Sequence, residues 1–181
     1  TREAGAACLA YIETAVRAAL DGNLDGITTA PINKTTLNLA GIDGPGHTEI
    51  LGRLTNSDNF AMMLYSPRIT VSLVTCHQSL ASVSASLDTE DIVRVVSLTR
   101  DTLRTIRHRE PLIAILGLNP HAGEDGMFGN EEKDIISPAV DRCKDEGWNV
   151  EGPLSPDAAF VPDALGRYDG HVTLYHDQGC I

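Results

Sequence analysis

Apolar residues recur every three to four positions in some stretches of this chain and stand side by side in others, and the two patterns alternate from end to end. Over residues 3–20, Leu9, Ile12, Val16 and Ala19 share one face at helical spacing, and Asp21-Gly22-Asn23 ends the run. Asp25-Gly26-Ile27-Thr28-Thr29 reads as a short buried strand that gives way to a loop at Pro31. A short helix is predicted over 34–40, then a Gly/Pro-rich loop over 41–46 and a further helix after His47. Residues 60–65 and 69–75 read as strands on either side of a Ser66-Pro67 turn, a hairpin or two neighbours. Asp88 suits the N-cap of a helix over 89–107, in which Ile92, Val95, Val96, Thr99, Leu103 and Ile106 keep the helical period. Arg104, Arg107 and His108 suit its C-terminal end. The continuous apolar run 112–118, bounded by Pro111 and Asn119-Pro120, predicts a strand covered on both faces. Ser137 is predicted to cap a helix with Pro138 at its first position, Val140 and Cys143 inward, and a stop at Gly147. Strands over 148–152 and 171–175 complete the order. The predicted class is therefore α/β, with a mixed, largely parallel sheet flanked by helices.

With 181 residues and 42% hydrophobic content, the chain has enough apolar side chain for one domain or the greater part of two. Its formal charge of -11 repels phosphate backbones, and no Lys/Arg cluster offsets that sign, so nucleic acid is excluded as a partner. No apolar run approaches the roughly 20 residues that span a bilayer, and no signal-peptide pattern opens the chain, so a soluble, cytoplasmic protein with no membrane partner is expected. Cys8, Cys76, Cys143 and Cys180 stand far apart and suggest neither a zinc knuckle nor a disulfide framework, but small buried hydrophobes. The start at Thr1 without methionine, and the stop at Ile181 just past a polar cluster, read as a fragment of a longer chain.

Three histidines follow three apolar runs: His77 after 69–74, His121 after 112–116 and His176 after 171–175. Imidazole is the commonest transition-metal ligand, and three of them leave a coordination position open for substrate. Ligands in open α/β sheets bind beyond the carboxyl ends of strands, where the polar clusters of this chain fall. Besides the histidine clusters these are Thr29-Ala30-Pro31-Ile32-Asn33-Lys34 and Gly46-His47-Thr48-Glu49. His47 and Thr48 would open a helix, where free N–H groups, an imidazole and a hydroxyl suit an anionic substrate; a helix cap by Thr48 or Asp43 is the plainer alternative. Lys34 offers a point charge for phosphate or carboxylate, or is a solvated surface residue. Asp157, in Gly152-Pro153-Leu154-Ser155-Pro156-Asp157, is an aimed carboxylate or a surface turn. His108 and His171 read as structural. Neither a P-loop nor a Gly-x-Gly-x-x-Gly fingerprint occurs.

In order and spacing, Thr29-Ala30-Pro31-Ile32-Asn33-Lys34, Gly46-His47-Thr48-Glu49, Leu118-Asn119-Pro120-His121-Ala122-Gly123-Glu124, Gly152-Pro153 with Asp157, and Tyr175-His176-Asp177-Gln178-Gly179 resemble the 4-hydroxythreonine-4-phosphate dehydrogenase (PdxA) family. This is a branch of the isocitrate/isopropylmalate dehydrogenase-like fold, and the resemblance covers essentially all 181 residues. It implies that His77, His121 and His176 are divalent-metal ligands and that His47 and Thr48 contact substrate; on the placement of their own side chains, Asp157 is expected to join the substrate contacts and Lys34 and Asp177 to serve catalysis. It also implies a homodimer whose metal site draws ligands from both subunits. Residues 1–181 would form the central part of such a dehydrogenase, without its N-terminal strand region and without the C-terminal segment that holds the dinucleotide. Two departures stand out: Cys76 precedes the first metal histidine in place of an expected hydroxyl residue, and Met127-Phe128 occupies a variable loop after His121.

The implied chemistry is NAD- or NADP-dependent oxidation of a phosphorylated hydroxy acid, 4-hydroxythreonine 4-phosphate or 4-phospho-threonate, with decarboxylation, in pyridoxal phosphate biosynthesis. The ion would be Zn, Co or Mg, with nitrogen ligands favouring the transition metals. Asp177 would fix the tautomer of a ligand imidazole. A dihydrodiol carboxylate dehydrogenase of the same family, a metal-dependent hydrolase built on the same histidines, and a non-catalytic binding module are the alternatives.

Overall fold

Gly5 sets how the first helix meets the second. The computed structural model describes residues 1–42 and 46–180, in two units, Thr1–Phe60 and Ala61–Ile181. In the first, α1 (Arg2–Leu20) is capped by Thr1, whose hydroxyl accepts from the Ala4 N–H at 3.2 Å. A Cβ on Gly5 would lie 2.0 Å from the Thr36 carbonyl, so only glycine lets α1 approach α2 (Lys34–Leu39) this closely. Ile12 and Val16 of α1, Leu37 of α2 and Ile50 of α3 (His47–Thr55) form the small core of this unit. The predicted strand over 25–29 does not form. Only Ile27 of that segment packs into the core, and one apolar residue beside two threonines and a glycine gives an extended segment no face to hold. Asp43-Gly44-Pro45 of the predicted loop lie outside the described residues, as does Ile181.

The second unit is a five-stranded sheet in the order β1-β2-β5-β3-β4. Its strands are β1 (Met62–Tyr65), β2 (Thr70–Leu73), β3 (Ile113–Leu116), β4 (Val150–Leu154) and β5 (Gly170–Thr173). β1 and β2 are the predicted hairpin, antiparallel, with Tyr65 opposite Thr70 and the Ser66 hydroxyl bonded into the turn. The other contacts are parallel, so the mixed, largely parallel α/β class expected from the sequence is observed. Alternate residues face opposite sides. Ile113 and Ile115 of β3 and Val172 of β5 pack under α5 (Thr89–Arg107) and α6 (Ser137–Asp145); Ala114 and Leu116 face Ala159 on the other side. Full burial of each Ile or Leu is worth roughly 1.5–3 kcal/mol, so packing on both faces rather than strand length holds β3.

Three boundaries differ from the sequence reading. Ser137 is not an N-cap. Its backbone is helical (φ -60°, ψ -44°), because a wide helical turn over Glu132–Ile136 runs straight into α6. Pro138 has no N–H to give the preceding turn, which accounts for the widening. β4 runs two residues later than predicted and contains Pro153, which an edge strand tolerates, and the ladder shifts register there. Between the hairpin and α5, α4 (Leu80–Ser86) was not foreseen: among its three serines and two alanines only Val83 is buried, so no apolar stripe marks it. Three single-turn helices, α7 (Pro156–Ala159), α8 (Pro162–Leu165) and α9 (His176–Gly179), complete the unit. No helix among the described residues is long and apolar enough to cross a membrane.

His171, read as structural, is 1% exposed on β5 and stacks on Phe160 (5.1 Å between ring centres) with Tyr168 edge-on at 5.7 Å. Neither ring nitrogen reaches a partner at hydrogen-bond geometry among the described residues. Burial pushes its pKa below the ordinary imidazole value, and the nearby Thr70 and Ala159 backbone pulls only weakly the other way. The unfolded chain therefore takes up this proton first. Stability is expected to be full above the unfolded value near 6.5 and to fall as pH drops below it, with a slope of at most about 1.4 kcal/mol per pH unit for one proton. Urea unfolding of wild type and His171→Phe at pH 8, 7, 6 and 5.5 checks this; an unchanged slope in the variant would exclude His171 as its source.

Candidate functional site

Four parallel strands end at the same edge of the sheet, and each delivers a residue singled out from the sequence. In spatial order these are His77 beyond β2, His176 beyond β5, His121 beyond β3 and Asp157 beyond β4. The order decides which of them meet. The His77 and His176 rings lie 5.6 Å apart and line a cavity of about 600 Å³ with Cys76, Tyr175 and Asp177. His121 and Asp157 line a second cavity of about 350 Å³ with Asn119, Ser155, Gln178 and the same Tyr175. Among the described residues, no three His, Cys, Asp or Glu side chains are arranged to hold one ion. The chain thus brings two of the three histidines together and leaves His121 in the neighbouring cavity, its ring 6.5 Å from that of Phe128.

His176 opens α9, and its Nδ1 is 2.8 Å from Oδ1 of Asp177. With Nδ1 as the donor to Asp177, the Nε2 lone pair faces the cavity to ligate a metal or accept a hydrogen bond, although the Cys180 sulfur stands 3.9 Å from it. Paired imidazoles, one of them oriented by a carboxylate, suit a divalent transition metal as part of a ligand set. Asp157 is exposed. Its carboxylate accepts from the Ser155 hydroxyl and from the Ala158 N–H, and the first of these bonds, with help from the second and from His121, holds its pKa below the usual range. Cys143 alone of the four cysteines is buried, with its thiol pushed up to about 11 by burial; Cys8 and Cys76 are half-buried and Cys180 is exposed, which corrects the buried reading of that residue.

The other candidates belong to the first unit and are described within it. Lys34 is the exposed first residue of α2, whose start is capped by Asn33 accepting from the Thr36 N–H at 3.1 Å. His47 and Thr48 open α3 as predicted. Gly46 at the cap offers no side-chain bond to that helix start. Of the two capping readings, Thr48 does not cap the helix it belongs to, and Asp43 lies outside the described residues. His47 is half-buried, and its Nε2 has no partner among the described residues.

The His121 loop is conformationally unusual. Over Pro120–Gly126 the backbone turns left-handed, with positive φ at His121 (53°), Ala122 (52°), Glu124 (42°) and Asp125 (56°) as well as at Gly123 and Gly126. Each non-glycine residue there costs roughly 1–2 kcal/mol, a strain that persists only where surrounding contacts over-determine it. Those contacts come from residues the sequence reading did not single out. Glu132, 5% exposed, accepts from the Leu118 and Asn119 N–H groups at 2.7 Å each. Gln178, known only as part of its cluster, is 4% exposed and joins two strands: its Oε1 accepts from the Leu174 N–H and its Nε2 donates to the Gly117 carbonyl, both at 2.7 Å. A signal for Glu132 was present, because it extends the buried stripe of Ile136, Val140 and Cys143 by one helical turn.

The fold and this edge define an α/β protein with an imidazole- and carboxylate-bearing site at the carboxyl ends of a parallel sheet. The chain belongs to the PdxA family: the family model described as "Pyridoxal phosphate biosynthetic protein PdxA" matches residues 1–181. It is 47% identical over 178 residues to the 4-hydroxythreonine-4-phosphate dehydrogenase of Desulforapulum autotrophicum, covering 98% of this chain and 52% of that protein. It is 41% identical over 181 residues to the D-threonate 4-phosphate dehydrogenase of Salmonella typhimurium, covering 99% of this chain and 55% of that one. The crystal structure of a Klebsiella pneumoniae 4-hydroxythreonine-4-phosphate dehydrogenase superposes with a TM-score of 0.91 at 41% identity, over 99% of this chain and 54% of that chain. The chain therefore spans about half the length of the curated relatives it matches.

Proposed function

We propose that the protein carrying this chain is a dehydrogenase that oxidises a phosphorylated hydroxy acid, 4-hydroxythreonine 4-phosphate or D-threonate 4-phosphate, with NAD or NADP as acceptor and with loss of carbon dioxide, in pyridoxal phosphate biosynthesis. The names of the relatives support the substrate class. The observation that carries the reading is the pairing of His77 with His176 at the shared strand edge, His176 oriented by Asp177. His77, His121 and His176 are the ligands of a divalent ion, Zn, Co or Mg, with the set completed across a homodimer. When bound, such an ion lowers the pKa of a substrate hydroxyl and polarises the ketone made from it.

The chain's own side chains supply the rest. Asp177 fixes the His176 tautomer. Asp157, held deprotonated at neutral pH by Ser155 and the Ala158 N–H, presents a carboxylate to the polar end of the substrate. His47 and Thr48 offer an imidazole, a hydroxyl and the N–H groups of a helix start that Gly46 does not cap to the substrate's anionic groups, and Lys34 adds a positive charge.

The test is a spectrophotometric assay of the full-length polypeptide with both phosphorylated acids, both dinucleotides, and added or chelated metal. Reduced nicotinamide should accumulate with at least one acid and stop on chelation. Product formation without any dinucleotide would replace this reading with metal-dependent hydrolysis. Oxidation of a dihydrodiol carboxylate but neither phosphorylated acid would move the chain to the other branch of the family.

A further inference from the structure

Asn119 lies two residues before His121, and both its backbone N–H and its side-chain amide are held by two adjacent carboxylates. Its Nδ2 donates to Oε2 of Glu131 at 2.7 Å and to Oε2 of Glu132 at 2.9 Å. Oε1 of Glu132 takes the Leu118 and Asn119 N–H groups, while Oε1 of Glu131 takes the hydroxyl of Ser84. Ser84 belongs to α4, the helix that begins three residues after His77. A continuous polar chain therefore runs from the His77 side of the site through Ser84, Glu131 and Asn119 to the backbone that presents His121.

The surroundings are cut to fit these carboxylates. A Cβ on Gly123 would come within 2.6 Å of Glu132 Oε2, and one on Gly129 within 2.5 Å of Asn119 Nδ2. A Cβ on Gly117 would stand 2.9 Å from Ala122 Cα. The bonds from Ser84 and Asn119 hold the Glu131 pKa below the ordinary carboxylate range, so this acceptor stays charged at neutral pH. Carboxylate acceptors on N–H donors are among the stronger hydrogen bonds, and here they fix the backbone at Leu118 and Asn119 that enters the left-handed turn, adding to the turn's own bonds from the Ala122 N–H to the Asn119 carbonyl and from the Phe128 N–H to the Gly123 carbonyl.

We propose that Glu131 and Glu132 are the positioning residues of the His121 loop: Glu132 holds its backbone in the left-handed turn, and Glu131 ties it to the helix that follows His77. This rests on the reading of His121 as a site ligand, and neither carboxylate touches substrate or ion itself.

The experiment titrates Co2+ into the full-length polypeptide by visible absorption, for wild type, Glu132→Ala, Glu132→Gln, Glu131→Gln and His121→Ala, beside hydrogen–deuterium exchange of the folded proteins. Glu132→Ala should weaken Co2+ binding about 10- to 100-fold, as loss of an orienting partner does elsewhere. Glu132→Gln, which keeps one oxygen for the two backbone N–H groups, should recover part of that loss. Exchange should quicken over residues 118–126 while β3 and α5 stay protected. Glu131→Gln, at a half-buried position, should do both more weakly, and it keeps the test open if Glu132→Ala does not fold. Wild-type Co2+ affinity and loop exchange in Glu132→Ala or Glu131→Gln would overturn the proposal, as would faster exchange spread equally over β3 and α5. Wild-type affinity in His121→Ala would instead overturn the ligand assignment, while the exchange result would still decide whether the carboxylates hold the loop.

Discussion

On the proposed reading of His176 as a metal ligand, replacing it with alanine in the full-length polypeptide is expected to lower turnover on the order of 10³-fold, because losing such a ligand would remove several kcal/mol of charge stabilisation and each 1.36 kcal/mol is tenfold in rate. The melting temperature should move little. The ring is half-exposed, and among the described residues it meets His77, Asp177 and Cys180 at the edge of the site. Asp177→Asn should be milder, lowering metal affinity about 10- to 100-fold by freeing the imidazole to turn. Turnover, bound metal by elemental analysis and thermal unfolding of the same preparations check both. A parallel fall in stability and turnover would make His176 structural.

The largest expected loss of stability from a single polar change lies two residues further on, at Gln178. Gln178→Leu keeps the volume of the side chain but strands the Leu174 N–H and the Gly117 carbonyl, both now paired with Gln178 in a buried setting. Each unpaired group costs about 1–3 kcal/mol, so a loss of roughly 2–6 kcal/mol is expected in urea unfolding. The same substitution uncouples the ends of β5 and β3, which carry His176 and His121, and should lower activity beyond what the unfolded fraction explains. A loss under about 1 kcal/mol would mean that water or a shifted backbone takes over both groups.

The periodic elements were legible in the sequence because local pattern and tertiary burial agree there. α5 starts at Thr89 under Asp88, which accepts from the Glu90 N–H, and it ends at Arg107 before a left-handed His108. Gly147 stops α6 with φ of 75°. The histidines and Asp157 could be placed beyond strand ends because apolar runs stop abruptly before them. Pairing was not legible: that His77 meets His176 while His121 faces Asp157 follows from the strand order, which crossovers set and residue spacing does not encode. Glu132, which continues the buried stripe of α6, was passed over for another reason. A carboxylate on the buried stripe of a helix looks like a surface residue until the two N–H groups it serves, at Leu118 and Asn119, are brought to it by the fold.

The position of β5 has a consequence for biosynthesis. Of the five strands among the described residues it is the last to be translated, and yet it lies between β2 and β3. One of the bonds that closes it, from the Thr75 hydroxyl to the Leu174 carbonyl, spans 99 residues. Until β5 leaves the ribosome, β1-β2 and β3-β4 can pair only as two separate ribbons, whose inner edges, β2 with Val71 and Leu73 and β3 with Ile113, Ile115 and Leu116, would stand unpaired. Such edges invite pairing with other chains, and closing contacts so distant in sequence slows folding. The burden on chaperones should therefore peak in the interval between translation of β4 and emergence of residues 170–173, and pausing the ribosome there should raise aggregation of the nascent chain more than pausing after β5.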